Sequence, residues 1–208
     1  MPSILHAQAP GHPLHVIQRG YCRLACFFGD GDRIAYLRYL EECVERSGCA
    51  VHAYVLMGNH VHLLATPSRL EGVSCLMRLL REDYTRYIGE TRERSEPVLE
   101  ERFQALPLRS RQHLLSCMQY IELNPVRARL VRSPGDYRWS SFRANALGQD
   151  DTLVTPHTCY YALGRTVNSR REAYRALFEE RTTGRARGAE VTDKALGALN
   201  RIGRNQRF

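Results

Sequence analysis

The sequence predicts an α+β fold: a ferredoxin-like antiparallel sheet with helices on one face, followed by a C-terminal helical extension. Two observations support this class. Short β-rich segments and longer amphipathic segments alternate in the order β-α-β-β-α-β. The two central strands are separated only by Gly58 and Asn59, a dipeptide typical of the turn of an antiparallel hairpin.

The first half of the chain contains three predicted strands and one helix. Residues 15–18 predict a short strand that ends at Arg19 and Gly20. A helix is predicted over residues 31–47 because apolar side chains recur there at spacings of three and four, and Gly48 is expected to end it; the side chains are Ile34, Leu37, Leu40 and Val44. Residues 49–57 and 60–66 predict the strands of the hairpin.

The second half begins with a long amphipathic helix, predicted over residues 70–90. Its apolar face consists of Val73, Leu76, Met77, Leu80, Tyr84, Tyr87 and Ile88. Residues 102–106 predict a fourth strand, and Ser110 is a candidate N-cap for a helix over 111–123 that ends before Pro125. We therefore divide the chain into residues 10–132 and a helical extension, residues 133–208. We expect the extension to contain a helix at 169–181, a weak helix near 190–200 and a basic tail that could be flexible.

The charge of the chain favours a polyanionic partner. The chain has 208 residues and a formal net charge of +8, and Lys194 is the only lysine among 30 basic residues. Arginine presents a planar fork of donors that suits phosphate oxygens, so this balance is typical of a nucleic-acid-binding protein. A codon bias towards arginine is the alternative explanation for the scarcity of lysine, although it explains the excess of cations less well.

Other classes of protein are excluded by composition. No run of about 20 uncharged apolar residues exists, so a membrane span is not expected. The first residues lack a secretory signal, and we expect a cytoplasmic protein. The seven cysteines are odd in number and contain no Cys-x-x-Cys pair, so neither a zinc ribbon nor a disulfide framework fits, and we expect reduced thiols.

Two pairs of residues carry candidate chemistry. His60 and His62 lie two apart in a predicted strand, so both imidazoles share one face and can hold a single divalent ion. Tyr120 and Asn124 share one face of a helix, and the amide oxygen of Asn124 could add a third ligand with the phenol one turn away. Taken alone, each pair is more often structural: a histidine pair without metal, or a core tyrosine and a helix-ending asparagine.

The segments around these residues resemble one family. Residues 53–64, AYVLMGNHVHLL, are similar to the His-hydrophobic-His (HUH) segment of single-strand tyrosine transposases. Residues 120–128, YIELNPVRA, closely resemble the tyrosine-bearing helix of one branch, the REP-associated tyrosine transposases. Residues 15–20, 136–143 and 155–157 are also similar to that branch, and the likeness runs in order from about residue 14 to 180.

The resemblance implies an HUH-nuclease type of sheet, with residues 10–132 as the catalytic domain of a transposase. It implies a metal-dependent endonuclease and strand transferase that cuts single-stranded DNA near palindromic hairpins through a 5′-phosphotyrosine. By position, His60, His62 and Asn124 would be the metal ligands, Tyr120 the nucleophile, and Mg²⁺ or Mn²⁺ the ion. The implied partner is DNA with REP-like palindromes, the implied location is the nucleoid, and a monomer is expected with a dimer left open.

Some features of the chain leave alternatives open. Arg129 stands where the family pattern has glycine, in a loop whose conformation favours that residue. Two other functions are considered: a domesticated protein that binds hairpin DNA without cutting it, and a metal-dependent phosphodiesterase that uses water. Candidate cations for a DNA path are Arg78, Arg81, Arg86, Arg185, Arg187, Arg201 and Arg204.

Overall fold

The computed structural model describes residues 9–93 and 96–182, without the side chains of residues 180–182. In this part of the chain four strands form one antiparallel sheet in the order β2-β3-β1-β4. The strands are β1 (Leu14–Arg19), β2 (Cys49–Leu56), β3 (His60–Pro67) and β4 (Gln104–Pro107). The predicted helix near 190–200 and the basic tail lie outside the described residues.

Six α-helices are found in the described residues. They are α1 (Asp30–Ser47), α2 (Gly72–Arg92), α3 (Arg111–Glu122), α4 (Asn124–Arg127), α5 (Thr158–Tyr161) and α6 (Val167–Thr182). The predicted order β-α-β-β-α-β is therefore confirmed for β1 to β4 with α1 and α2, and so is the α+β class. None of the helices in the described residues combines the length and the apolar character that a membrane crossing requires.

Both faces of the sheet are covered. Residues 14–18 of β1 and 61–65 of β3 are buried throughout, although successive side chains of a strand point to opposite faces. Helices α1 and α2 pack against each other and against the hairpin strands, as expected for the two helices of a ferredoxin-like unit. Helix α3 follows the last strand, contacts β2 and β3, and covers the opposite face.

The buried side of α1 differs from the apolar stripe that the sequence suggests. Ile34 is 52% exposed, whereas Tyr36 and Leu40 are fully buried. Tyr36 makes edge-to-face ring contacts with Phe27 and Tyr84, at centroid distances of 5.3 and 5.0 Å. Because aromatic side chains bury more area than isoleucine, this cluster determines which side of α1 faces the core.

The segment between α4 and α6, residues 128–166, packs along the outer edge of β2. Isolated bridges pair Ser140 with Val55 and Val154 with Val51. Side chains from this segment and from α6 belong to the same core as the sheet; among them are Trp139, Phe142, Tyr160, Tyr174 and Phe178. The seven cysteines are free thiols, of which four are buried and Cys22 is exposed.

Candidate active site

Strand β3 places two imidazoles on the face of the sheet that α3 covers. His60 and His62 alternate with Val61, whose side chain is fully buried on the opposite face. The ring centroids of His60 and His62 are 5.0 Å apart and the ring planes are nearly perpendicular, at 87°. His62 is 4% exposed, and His60 is half-buried at the end of the strand.

Each of the two rings is held through its Nδ1 atom. The Nδ1 atom of His60 lies 2.7 Å from the Oδ1 atom of Asn59, and the Nδ1 atom of His62 lies 2.9 Å from the Nε2 atom of His15. Metal-binding histidines usually use one ring nitrogen for the ion and the other for such a hydrogen bond. The Nε2 atoms of His60 and His62 are therefore the ones placed to bind a ligand.

Helix α3 brings Tyr120 against these histidines. The helix begins after Ser110, whose hydroxyl accepts a hydrogen bond from the backbone N–H of His113. Ten residues later, the ring of Tyr120 lies edge-on to His62 at a centroid distance of 5.7 Å and to His15 at 5.9 Å. The phenol ring of Tyr120 thus lies beside His62, one of the two histidines expected as metal ligands, and beside His15.

Asn124 lies one turn beyond Tyr120, at the start of α4. Its amide is close enough to the Tyr120 hydroxyl to stabilise the ionised phenol, although no well-aligned hydrogen bond involves its Nδ2 atom. That Nδ2 atom is buried without a hydrogen-bond partner among the described residues. No well-aligned hydrogen bond of the Nδ2 atom therefore fixes this amide, and its oxygen would be the atom that binds a cation.

The donor set fits a divalent cation. In the part of the chain that the structure describes, no group of three or more His, Cys, Asp or Glu side chains could hold a metal ion. A metal site built on His60 and His62 would therefore need a third protein ligand of another type, such as the amide oxygen of Asn124. Two imidazoles and a neutral amide leave the positive charge of an ion uncancelled and leave open positions for phosphate oxygens.

Burial sets the protonation of the site. It lowers the pKa of His60 and of His15 to about 4 and holds that of His62 well below its usual value, so these rings are neutral at pH 7, as metal binding requires. Burial also raises the pKa of the Tyr120 phenol, and the charges of Arg127 and Arg19 oppose this rise. The phenol is therefore protonated at neutral pH.

Two cations stand beside Tyr120 that the sequence did not single out. Arg19 pairs with His60 across β1 and β3, so the two side chains share the face of the site. The guanidinium carbon of Arg127 lies 4.9 Å from the centroid of the Tyr120 ring. The spacing of seven between Tyr120 and Arg127 could have indicated this contact, whereas the position of Arg19 depends on the strand register.

The arginines that the sequence proposed for a DNA path lie elsewhere or are engaged. Arg78 bonds to Glu82 and Arg86 to Asp83 on α2, which belongs to the opposite face of the sheet. The arginines of the tail lie outside the described residues. His52 is buried and hydrogen-bonded to Thr155 and Thr66.

A buried carboxyl fixes the other side of α3. Glu122 Oε1 accepts hydrogen bonds from Ser141 Oγ at 2.6 Å and from Asn145 Nδ2 at 2.9 Å, and Oε2 accepts one from Tyr174 Oη at 2.8 Å. Burial raises the pKa of Glu122 to about 7, although all three hydrogen bonds act in the opposite direction. Helix α3 is thereby joined to the segment beside β2 and to α6, which fixes the rotation that points Tyr120 at the histidines.

Comparisons with known proteins agree with this architecture. No curated protein matches the chain. A solved structure of the REP-associated tyrosine transposase bound to a REP hairpin is 18% identical; the match covers 76% of this chain and 96% of that one, with a TM-score of 0.59. A putative transposase from Deinococcus radiodurans R1 is 19% identical over 53% of this chain and 88% of that one, with a TM-score of 0.40.

The first of these structures shows that the two chains share a fold. The family model described as "Transposase IS200 like" matches residues 9–124, a segment that begins before β1 and ends at Asn124. It thus spans more than half of the chain and includes both histidines of β3 and the tyrosine of α3. This chain is a member of the IS200-like transposase family.

Proposed function

We propose that this protein cuts and rejoins single-stranded DNA beside a hairpin, with Tyr120 as the nucleophile and with His60, His62 and Asn124 as ligands of Mg²⁺ or Mn²⁺. Membership of a transposase family implies a DNA-cleaving enzyme, and this family generally uses a divalent metal ion. The observation that carries the proposal is the edge-on contact of Tyr120 with His62, because it puts the proposed nucleophile beside a neutral imidazole whose ring lies 5.0 Å from that of His60.

The proposed step is a transesterification. The phenol oxygen of Tyr120 forms a bond to phosphorus as the bond from phosphorus to the 3′ oxygen breaks. The phenol proton passes to solvent, and the leaving oxygen takes up a proton to become a free 3′-OH. One phosphodiester replaces another, so the step is close to neutral in free energy and rejoining needs no nucleotide cofactor.

The residues of the site have separate tasks in this step. Arg19 and Arg127 attract the scissile phosphate and keep it beside the phenol. A divalent ion on His60, His62 and Asn124 supplies Lewis-acid stabilisation of the charge that develops on the phosphate oxygens. The Glu122 network holds α3 so that Tyr120 keeps its position against the sheet.

A hairpin is the proposed partner because the solved relative is bound to a REP hairpin. The net charge of +8 supports binding to a polyanion. A hairpin-binding protein without cleavage activity and a phosphodiesterase that uses water remain the alternatives, and a single assay separates the three.

The assay uses labelled single-stranded oligonucleotides that carry a palindromic hairpin between randomised flanks, incubated with Mn²⁺ or Mg²⁺ and run on a denaturing gel. We expect a covalent protein–DNA band that disappears with a chelator and in Tyr120→Phe. Tyr87→Phe, a half-buried tyrosine of α2, is the matched control and should keep the band. Cleavage without a covalent band would favour the phosphodiesterase, and a mobility shift without cleavage the binding protein.

A further inference from the structure

His15 is the buried group of the site to which the proposed function gives no task. It lies in β1 with no exposed surface, and its ring stacks on His62 at a centroid distance of 5.0 Å and an interplanar angle of 22°. Its Nε2 atom is 2.9 Å from the Nδ1 atom of His62. Its other nitrogen, Nδ1, is buried and has no hydrogen-bond partner among the described residues.

The hydrogen bond between the two rings admits two arrangements of protons. In the first, His15 carries its proton on Nε2 and donates it to His62, whose own proton then sits on Nε2. In the second, His62 carries its proton on Nδ1 and donates it to the bare Nε2 atom of His15. Each neutral ring keeps one proton in both arrangements, so only the positions of the protons differ.

The second arrangement alone suits a cation. A metal ion needs the lone pair of the His62 Nε2 atom, and a proton on that atom blocks it. In the second arrangement, the proton of His15 lies on Nδ1, which is buried without a partner. A buried polar nitrogen without a hydrogen-bond partner is destabilising, and the Nδ1 atom of His15 lacks one in both arrangements, so the presence of His15 in the core indicates a role other than stability.

We propose that His15 is a positioning residue that accepts the Nδ1 proton of His62 and so presents the His62 Nε2 lone pair to a divalent cation. The inference rests on the metal site of the proposed function. His15 is not itself a ligand, because its Nε2 atom is engaged by His62 and its Nδ1 atom is enclosed. Its ring also contacts Tyr120, so the residue that sets the metal ligand borders the nucleophile.

The test compares two replacements of similar size by Mn²⁺ binding, measured with the metal alone and without DNA. His15→Gln keeps an oxygen near the position of the imidazole Nε2, whereas His15→Met fills the space without a strong acceptor. We expect His15→Gln to bind Mn²⁺ within about threefold of the unmodified protein and His15→Met to bind roughly 10–100-fold more weakly. Thermal melting without metal establishes that both variants are folded.

Three results would overturn the inference. Binding by His15→Met that equals that of the unmodified protein would show that no acceptor is needed. An equal loss in His15→Gln would show that the ring and not the acceptor matters. In the unmodified protein, nitrogen NMR of the imidazoles with Mg²⁺ should show the His62 proton on Nδ1; a bare Nδ1 atom in the metal-bound form would contradict the proposal even if neither variant folds.

Failure of the proposed function gives a different pattern. If His60→Ala and His62→Ala bind Mn²⁺ as tightly as the unmodified protein, the metal site itself is wrong, and His15 has nothing to position. If Mn²⁺ binding follows the His15 pattern but no Tyr120 adduct forms, the positioning role stands and the transfer reaction does not.

Discussion

The phenol of Tyr120 is protonated at neutral pH and lies edge-on to the ring of His62. Burial raises its pKa, and the neighbouring charges of Arg127 and Arg19 offset part of that rise. The proposed function gives the same two cations the task of holding the scissile phosphate. The sequence identified Tyr120 and His62 from their patterns, but it missed His15 and Arg19, because only the register of β1 against β3 shows that these residues face the site.

The two cations should contribute directly to DNA binding. For single strands, each phosphate contact adds roughly 0.7 to the slope of log K against log salt concentration. We expect Arg19→Gln and Arg127→Gln each to lower that slope by about this amount, measured by fluorescence anisotropy with a hairpin oligonucleotide and a chelator. Arg38→Gln on α1, an exposed arginine near Glu42, is the control and should leave the slope unchanged. Equal slopes for all three variants would contradict the assignment.

At the scale of elements, hairpin β2–β3 and helices α2 and α3 match their predicted bounds to within a few residues. Their signals are local: a Gly-Asn turn, a regular apolar stripe and a serine N-cap. The rotation of α1 could not be predicted, because it depends on ring contacts between Tyr36, Phe27 and Tyr84, which are distant in sequence. The bulge in β2 between Val51 and Ala53 is likewise determined by pairing with other segments.

Arg129, at the C-terminal end of α4, occupies a position where the family pattern has glycine. Arg129 has a φ of 59°, and the backbone N–H groups of Arg129 and Leu130 donate to the carbonyls of Val126 and Pro125, at 2.9 Å each. This is the helix-ending motif that favours glycine. We expect Arg129→Gly to raise the free energy of unfolding by up to about 1 kcal/mol in urea titrations.

Arg132→Gly removes the same charge from an exposed position without a positive φ and is the control. It should leave stability unchanged or lower it. If both substitutions change the free energy of unfolding in the same direction and by the same amount, the change comes from the lost charge and not from the backbone.

The His52 contact joins β2 to the segment beside it and should make stability depend on pH. Its Nδ1–H donates to the Thr155 carbonyl at 2.6 Å and its Nε2 accepts from Thr66 at 2.8 Å. Burial lowers its pKa from 6.5 to about 4, so the unfolded chain binds a proton below pH 6.5 before the folded chain does. The stabilisation is therefore present above pH 6.5 and is lost as the pH falls towards 4.

His52→Gln isolates this contribution because it removes one titrating group. From pH 7.5 to pH 5, the unmodified protein should lose about 2 kcal/mol more of its free energy of unfolding than the variant does. Urea titrations at several pH values measure the difference. A difference that does not vary with pH would mean that His52 has the same pKa in the folded and the unfolded chain, which would contradict the prediction.

At the scale of the whole molecule, one chain supplies every residue of the candidate site. Tyr120 contacts His62 of its own chain, and Asn124 follows on the same helical face. This could not be read from the sequence, since tyrosine and histidine motifs are compatible with a site shared between two chains. The fold that joins them depends on long-range contacts, above all those of Glu122 with Ser141, Asn145 and Tyr174.

Because the candidate site lies within one chain, mixing two inactive variants should not restore activity. Tyr120→Phe lacks the nucleophile and His62→Ala lacks a proposed ligand, so neither should form the covalent band alone. We expect an equimolar mixture of the two, combined before DNA is added, to remain inactive in the gel assay. Recovery of the band would show instead that the tyrosine of one chain serves the histidines of another.

The segment that packs along β2 also covers an edge strand that could otherwise pair with other chains. Backbone N–H groups of Leu56, Ser141 and Thr155 donate to carbonyls across this border, where an uncovered strand would offer its polar groups to any other extended chain. The nearly continuous apolar sequence of β2 would otherwise be a template for strand addition and aggregation. We therefore expect a chain truncated after α4 to form insoluble aggregates, because loss of this segment would expose the backbone N–H and C=O groups at the edge of β2.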